Sequence, residues 1–207
     1  PYYEKEGFEA DDIIGTIAEK MKGEKDFQVV IASGDLDTTQ LIEEDKIVVY
    51  TLHKGIKDTV IYDEKGIEER YGFPPKYMAD FKGLRGDPSD NIIGIKGIGE
   101  KTAEILIKNF GTTEEMYKTL KKKNGEEVFI EAGIKPRIIE LLKNGEEEAL
   151  FSKTLATIRR DVPVRLDKFK ASWKESLELE KAKKIFSDLE FRTLPGRLDQ
   201  LLGKFKE

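Results

Sequence analysis

The spacing of apolar residues divides the chain into a mixed first third and a helical remainder. After Glu9 they recur with helical spacing at six positions, Ala10, Ile13, Ile14, Ile17, Ala18 and Met21. This spacing predicts an amphipathic helix with one buried stripe. A continuous apolar run over residues 27–32 predicts a buried parallel strand, and shorter runs at 47–51 and 59–62 predict two more. We therefore expect a layered parallel or mixed sheet in this part of the chain.

Beyond Glu64 the periodicity is helical. We expect helices over residues 66–71, 74–81, 100–110, 114–123, 136–144, 145–158 and 177–189. The helix over residues 100–110 has the clearest end, because Gly111 can adopt the left-handed conformation that stops a helix. The pattern thus predicts an α/β core over residues 1–75 and a mainly helical part over residues 76–207.

Length and composition fit a globular protein. The 207 residues are 38% hydrophobic, which suffices for a core, and 37% charged. No run of about 18 apolar residues occurs and no secretory signal opens the chain, so we expect neither a membrane span nor secretion. The absence of cysteine excludes disulfides and thiolate zinc sites and agrees with a reducing cytoplasm.

The net charge of −5 argues against a non-specific nucleic-acid binder that works by bulk attraction. It is compatible with a nuclease, because clustered carboxylates inflate the negative charge until metal ions neutralise them. The chain opens with Pro1 and not with Met. We therefore expect a fragment of a longer protein, with an upstream part missing.

Three acidic residues, Glu9, Asp11 and Asp12, lie in the first turn of the first predicted helix. Carboxylates at this position cap a helix and complement its dipole. Three carboxylates within four residues exceed what capping requires, and a bound cation would relieve their mutual repulsion. Both interpretations stay open at the level of the sequence.

A second acidic pair, Asp35 and Asp37, lies just past the carboxyl end of the strand predicted over residues 27–32. Open α/β sheets place their ligands at this end of their strands. Two carboxylates two residues apart on such a loop suit a divalent metal ion. The alternative is an Asx-type turn that leads into a short helix over residues 38–42.

A third pair, Asp87 and Asp90, lies three residues apart around Pro88 and Ser89. In a helical turn both carboxylates face the same way and can share a hard cation. A capped turn without metal is the alternative.

The segment Gly97-Ile98-Gly99 predicts a tight turn between two helical stretches. Gly97 can take a backbone angle closed to other residues, and Gly99 lets backbone N–H groups approach an anion. The following helix points its positive end at the same place. Lys96, Lys101 and the Thr102 hydroxyl add donors. This pattern predicts a helix–hairpin–helix that grips a nucleic-acid backbone without reading bases; an ordinary turn is the alternative.

The motifs EGFEADDIIGTIA, SGDLDTTQLI and GLRGDPSDNIIGIKGIGEKTA follow one another in this order. Together they resemble the 5′-3′ exonuclease domain of bacterial DNA polymerase I, a member of the flap endonuclease (5′ nuclease) family. The resemblance covers residues 1–203, including the closing LEFRTLPGRL. It implies a PIN-like layered sheet, followed by a helix–hairpin–helix and a helical C-terminal region.

The resemblance also implies a site for two or more Mg²⁺ or Mn²⁺ ions that serve phosphodiester hydrolysis. By similarity the first ion would be held by Glu9, Asp11 and Asp12. The second would be held by Asp35, Asp37, Asp87 and Asp90. Such chemistry needs no protein nucleophile. This agrees with the lack of cysteine and with the placement of the one histidine, His53, in a predicted loop.

The implied substrate is DNA with a branched or 5′-flapped duplex, processed in replication and repair. By similarity the hairpin grips the duplex, sometimes with K⁺ on its carbonyls, through Lys96, Gly97, Ile98, Gly99, Lys101 and Thr102. We also expect a polymerase domain in the parent chain and a monomeric state.

The chain also departs from the family pattern. The family has an earlier strand with a further metal-binding aspartate and a helical arch with Lys and Arg. Neither has a counterpart here, and we expect both to belong upstream. Leu36 lies where the family usually has lysine, and Thr38-Thr39 replace aliphatic or aromatic residues. We expect these changes to tune the site.

Two other functions fit part of the sequence. Asp35-Leu36-Asp37-Thr38-Thr39 after a strand matches the Asp-x-Asp-x-Thr signature of haloacid-dehalogenase-like phosphatases. That interpretation leaves the acids around Asp11 and the hairpin around Gly97 unexplained, and Ser33-Gly34 separate the strand from the first aspartate. The other function is a non-catalytic DNA-binding module in which the hairpin works and the metal site is incomplete.

Overall fold

The structure is a computed structural model that describes residues 2–25, 27–52, 58–166 and 172–204. His53 and the loop predicted around it lie outside these residues. In the described part, three strands form one sheet, β1 (Val29–Ala32), β2 (Ile47–Leu52) and β3 (Thr59–Tyr62). β1 pairs with β2 in parallel, with Val29 opposite Ile47. β3 pairs with β2 in the antiparallel direction, with Tyr62 opposite Val49. The expected mixed sheet is therefore present, but the prediction that its first strand is buried was wrong. Ile31 is buried, whereas Phe27 and Val30 are 46% and 53% exposed.

The chain divides into two compact units, Pro1–Val164 and Arg165–Glu207. The helices of the first unit are α1 (Ala10–Lys22), α2 (Glu64–Tyr71), α3 (Met78–Arg85), α4 (Glu100–Phe110), α5 (Thr113–Leu120), α6 (Gly125–Glu131), α7 (Pro136–Asn144) and α8 (Glu146–Ala156). Three short 3₁₀ helices accompany them, at Leu36–Leu41, Pro75–Tyr77 and Pro88–Asp90. The second unit contains α9 (Trp173–Ser176), α10 (Leu179–Asp188) and α11 (Leu194–Lys204). No helix in the described ranges is long and apolar enough to cross a bilayer.

The core of the first unit runs from the sheet into the helices. Val49 on β2, Phe81 and Leu84 on α3, and Leu106 on α4 are almost completely buried. Tyr71, Phe73 and Phe81 pack as an aromatic group, with ring centroids 5.2–5.8 Å apart. α3 is buried along most of its length and packs chiefly against α8. It therefore serves as the central scaffold of this unit.

α1 forms as its apolar spacing predicts, but its buried face differs from the expected stripe. Ile13 and Ala18 are buried, whereas Ala10 is exposed. Gly15 and Thr16 are buried instead. The Thr16 hydroxyl accepts a hydrogen bond from the Val162 backbone N–H at 3.0 Å. The physical reason is that the segment after α8 runs across this face of α1, and small or hydroxylated side chains allow the backbone to approach.

Candidate metal centre and hairpin

The first turn of α1 carries three of the predicted acidic residues. Glu9 is the N-cap residue, and its backbone N–H donates to the Asp12 carboxylate at 3.3 Å, so these two residues form a capping box. The second Asp12 oxygen accepts from the Arg159 backbone N–H at 2.9 Å. Asp11 makes no such structural hydrogen bond within the described residues. Both oxygens of its carboxylate are therefore available to a ligand, in addition to the acceptor sites that the other two carboxylates keep.

Asp35 and Asp37 lie where the chain leaves β1. The 3₁₀ helix Leu36–Leu41 begins after Asp35, whose carboxylate accepts from the Asp37 backbone N–H at 2.9 Å. The Asx-type turn of the sequence analysis is thus present. It uses one Asp35 oxygen and orients the Asp37 carboxylate, and therefore does not exclude metal binding.

Asp87 and Asp90 lie in a closed loop between α3 and α4. The backbone of Asp87 exchanges two hydrogen bonds of 2.8 Å with Ile92, which closes the loop. Gly86 precedes it with φ of 75°, and a Cβ there would lie 2.4 Å from the Ile93 carbonyl oxygen, so only glycine fits. The Asp87 carboxylate caps the 3₁₀ helix Pro88–Asp90 through the Ser89 N–H. Both carboxylates face the same side of the loop, as the three-residue spacing predicts.

The three acidic segments converge on one open pocket. Six of the seven predicted acidic residues line it, namely Glu9, Asp11, Asp12, Asp35, Asp37 and Asp90. The seventh, Asp87, lines an adjoining pocket together with Asp35 and Asp37. Residues separated by more than 80 positions in the sequence are thereby brought to one place.

Three of these carboxylates meet closely. One oxygen from each of Asp37, Asp87 and Asp90 lies within 4.8 Å of the others. Asp35 instead contributes to the charge around Asp11. We therefore treat Asp35 with the α1 acids, since its charge raises the pKa of Asp11 more than any other neighbouring charge. Asp37, Asp87 and Asp90 form a separate set, which we call the aspartate trio.

The electrostatics differ between the two groups. Burial raises the pKa of Asp11, and the charges of Asp35, Glu9, Asp12 and Asp90 raise it further. Burial alone would also raise the pKa of Asp87, but hydrogen bonds from Lys82 and Ser89 outweigh burial and lower it to about 2. In the described part of the chain the acids on the α1 side of the pocket thus form no ion pair, whereas the trio has a protein counter-ion.

That counter-ion, Lys82, was not found in the sequence analysis. It lies on α3 and is only 8% exposed. Its Nζ contacts the Asp37 carboxylate, lies 2.6 Å from Asp87 Oδ2 and lies 3.8 Å from Asp90 Oδ2. In the sequence it appears as one lysine in FKGLR, with nothing to indicate burial.

The donor set fits a hard divalent cation. The acidic side chains that converge here offer carboxylate oxygens, which Mg²⁺, Mn²⁺ and Ca²⁺ prefer. Burial raises the pKa of Asp11 most, the neighbouring carboxylates raise it further, and a cation would relieve their repulsion. The described residues bring no histidine to the pocket. The arrangement can therefore hold divalent ions against an anionic substrate.

The predicted hairpin lies before α4. Gly97 has φ of 99°, as a glycine-specific turn requires, and Gly99 is the N-cap residue of α4. Ile98 is buried, whereas Lys96, Gly99 and Lys101 are exposed. Neither lysine forms an ion pair within the part of the chain that is described. The exposed groups can therefore meet an anionic ligand.

Two details of this hairpin differ from expectation or were missed. The preceding helix, α3, ends at Arg85, so a loop of 14 residues that includes the 3₁₀ helix Pro88–Asp90 separates it from α4. A Cβ at Gly97 would lie 3.8 Å from Arg137 Nη2 on α7. Arg137 is exposed and adds a cation beside the turn that only the tertiary fold reveals.

The chain belongs to the 5′-3′ exonuclease family. The family model of the C-terminal SAM fold matches residues 73–178, and that of the N-terminal resolvase-like domain matches residues 1–72. The predicted fold class, an α/β core followed by a helix–hairpin–helix and a helical region, is confirmed. The phosphatase alternative does not survive this assignment.

Among known proteins the chain is similar to DNA polymerase I of Bacillus caldotenax, with 40% identity over 199 residues. The match covers 96% of this chain but 21% of that protein, so the chain spans about a fifth of the relative's length.

Two solved structures share the fold. One is T5 5′-exonuclease with bound zinc ions, at a TM-score of 0.61 and 24% identity, covering 75% of this chain and 52% of that one. The other is the T5 flap endonuclease in a pseudo-enzyme-product complex with DNA and metal ions, at a TM-score of 0.59 and 23% identity, covering 74% and 51%.

Proposed function

We propose that this chain is the metal-dependent 5′-3′ exonuclease and flap endonuclease part of a DNA polymerase I-like protein. The observation that carries the proposal is the convergence of six acidic side chains on one pocket in a chain of the 5′-3′ exonuclease family. The proposed reaction is hydrolysis of DNA phosphodiester bonds at or near a 5′ end.

The proposed catalytic and metal-binding residues are the seven acids, Glu9, Asp11, Asp12, Asp35, Asp37, Asp87 and Asp90. The α1 acids and Asp35 would hold one Mg²⁺ or Mn²⁺ ion, and the aspartate trio would hold a second. When bound, such ions make hydroxide available near neutral pH and stabilise charge on the attacking and leaving oxygens. The hydrogen bond from the Arg159 backbone N–H to the Asp12 carboxylate and the two Asp87–Ile92 backbone hydrogen bonds keep the carboxylates in place.

The hairpin is proposed to bind the duplex backbone. Lys96, Gly97, Ile98, Gly99, Lys101 and Thr102 supply the turn and its donors, and Arg137 lies beside them. Backbone N–H groups and lysine ammonium groups suit phosphate oxygens and carry no base specificity. We also propose that the hairpin carbonyls bind a K⁺ ion.

The wider assignment follows the relatives. We propose a branched or 5′-flapped duplex as substrate, a monomer in the cytoplasm, and a role in replication and repair beside a polymerase domain of the parent chain. We also propose a boundary near residue 75 between the nuclease core (1–75) and the helical DNA-binding part (76–207). Two family models that meet at residues 72 and 73 support this boundary.

The test uses a 5′-labelled flap duplex at low salt, with Mg²⁺, with Mn²⁺ and with chelator, and scores binding and cleavage in the same samples. We expect metal-dependent release of short 5′ fragments. Asp90→Asn should lower the cleavage rate at least about 100-fold, because it removes a metal-binding oxygen. Its side chain is 46% exposed, so the fold should tolerate the change.

Asp188→Asn, an exposed position at the end of α10, is the matched control and should leave cleavage unchanged. Binding without cleavage under every metal condition would instead support the non-catalytic DNA-binding module. In that case Lys101→Ala should weaken binding while Asp90→Asn does not.

A further inference from the structure

A buried lysine occupies the centre of the aspartate trio. Lys82 lies on α3 between the buried residues Phe81 and Gly83, and its side chain is 10% exposed. Burial of an ammonium group is costly unless carboxylates surround it. Here Asp37 and Asp87 contact it directly and Asp90 lies at 3.8 Å. The side chain is therefore fixed by all three acids of the trio.

The same three acids form the group whose oxygens lie close enough together to share a cation. The Lys82 Nζ lies within contact distance of two of these carboxylates, so a shared ion would have to compete with it for them. A divalent ion bound to these carboxylates would lie close to the Lys82 ammonium group, and two cations so close in a partly buried site repel each other strongly. An ammonium group and a divalent ion at the trio would therefore weaken each other's binding.

We propose that Lys82 is an internal counter-ion that competes with the divalent metal for Asp37, Asp87 and Asp90. Without metal the ammonium group compensates one of the trio's three negative charges and keeps the loop around Asp87 attached to α3. Metal binding displaces the ammonium group. This inference rests on the proposed metal site and defines how that site is loaded.

The surroundings permit the displacement. Lys82 lines an open pocket together with Tyr71, Met78 and Arg85, beside the trio. The lysine side chain has four methylene groups and can turn its charged end toward solvent while its stem stays packed. The backbone of α3 need not move.

The consequence is a trade between metal affinity and metal-free stability. With Lys82 present, part of the free energy of metal binding is spent on removing the ammonium group. Without it, the trio is uncompensated and binds a divalent ion more tightly, but the metal-free protein is less stable. A residue with only a packing role would change stability alike with and without metal.

The first measurement compares Lys82→Met with the unchanged chain. Mn²⁺ binding is followed by electron paramagnetic resonance, and thermal unfolding is recorded in chelator and in saturating Mn²⁺. We expect Lys82→Met to bind Mn²⁺ about tenfold more tightly at one site, because the competing charge is gone. Its unfolding temperature should fall in chelator and recover with Mn²⁺.

The matched control is Lys153→Met. Lys153 is also a partly buried lysine held by two acids, at 2.7 Å from Asp80 and 2.6 Å from Glu114, and it does not line either acidic pocket. Its loss should lower stability alike with and without Mn²⁺ and leave Mn²⁺ affinity unchanged.

A second measurement needs no variant. The amine of Lys82 in the unchanged chain is acylated with a water-soluble reagent and quantified by mass spectrometry, with Lys153 as the internal reference. We expect the Lys82 rate to rise several-fold when Mg²⁺ or Mn²⁺ is added, while the Lys153 rate stays constant. This result follows if metal drives the ammonium group into solvent, whether or not Lys82→Met folds.

The outcomes separate two failures. Mn²⁺ bound equally by the unchanged chain and Lys82→Met, or no rise in Lys82 acylation with metal bound, overturns the competition but leaves the proposed nuclease intact. No Mn²⁺ binding by either chain overturns the proposed metal site and the competition together.

Discussion

At the scale of single residues, the turn before α4 depends on one glycine. Gly97 has φ of 99°, and a Cβ there would lie 3.1 Å from Leu141 Cδ1. Gly97→Ala should therefore lower the free energy of unfolding by about 1–3 kcal/mol, since L side chains avoid this backbone region. Urea unfolding followed by circular dichroism measures the change.

The control for this prediction is Gly23→Ala. Gly23 ends α1 with φ of −72°, and a Cβ there meets no atom within 4 Å. Alanine should be neutral or stabilising by up to about 1 kcal/mol, because it restricts the unfolded chain. Equal effects at the two glycines would show that the conformation assigned to Gly97 is wrong.

The residues of the pocket show what a sequence can reveal. Asp35 and Asp87 were predictable as candidates, because each belongs to a pair of carboxylates in a turn after a strand or around a proline, although the capped turns that were the alternative are also present. Lys82 was not, because a lysine at a helical position is normally solvated. Its burial follows from α3 lying in the middle of the unit, which only the assembled helices define.

At the scale of elements, α5 and α7 are joined by a buried tyrosine. The Tyr117 hydroxyl donates to the Leu142 carbonyl at 3.1 Å, and the residue is 3% exposed. Burial, assisted by the negative charge of Glu146, raises the pKa of Tyr117 above its ordinary value. The folded chain therefore retains this proton at pH values where the unfolded chain loses it.

A pH dependence follows. Above pH 10 the unfolded state binds fewer protons than the folded state, so stability falls by about 1.4 kcal/mol per pH unit through this residue. Tyr117→Phe should cost about 1 kcal/mol at pH 8, since the Leu142 carbonyl keeps the Gly145 N–H. The difference in free energy of unfolding between Tyr117→Phe and the unchanged chain should become smaller as pH rises from 10 to 11.

Urea unfolding between pH 8 and 11 tests this prediction. Tyr2→Phe is the control, because Tyr2 is 82% exposed and should change stability little at any pH. A constant deficit for Tyr117→Phe across the range would contradict the assigned pKa direction.

The elements also show where prediction from sequence ends. α4 is found at Glu100–Phe110 as predicted, because a glycine turn precedes it, Gly111 stops it and its apolar positions are periodic. α6 was missed. It has seven residues, and Gly125 opens it, so its sequence carries neither a strong start signal nor enough length for periodicity. Its buried Phe129 stacks on Phe110 with centroids 3.9 Å apart, and this packing stabilises it.

At the scale of the whole molecule, the net charge of −5 opposes the proposed substrate. Near the pocket, its acidic side chains repel the DNA phosphates most. The exposed lysines of the hairpin attract the phosphates instead. Metal ions would reverse the sign of the pocket. DNA affinity should therefore depend on the charge of the pocket and not on the net charge alone.

This leads to a prediction about binding without metal. The double variant Asp35→Asn, Asp90→Asn removes two charges from the pocket, and the amide oxygen introduced at position 35 can keep the hydrogen bond from the Asp37 N–H. In chelator at low salt we expect it to bind a 5′-flap duplex roughly 3–10-fold more tightly than the unchanged chain, because phosphate repulsion falls. Fluorescence anisotropy measures this change.

The matched control removes the same charge elsewhere. Glu127→Gln, Glu131→Gln alters two exposed acids of α6 that line neither acidic pocket, so its DNA affinity should change much less. In high salt the tighter DNA binding of the Asp35→Asn, Asp90→Asn variant should vanish, because salt screens the repulsion between the pocket and the DNA phosphates. With Ca²⁺ the unchanged chain should bind at least as tightly as the variant, since the metal then neutralises its carboxylates. If both double variants gained DNA affinity equally, the repulsion would come from the net charge. The charge of the pocket would then have no particular effect on DNA binding.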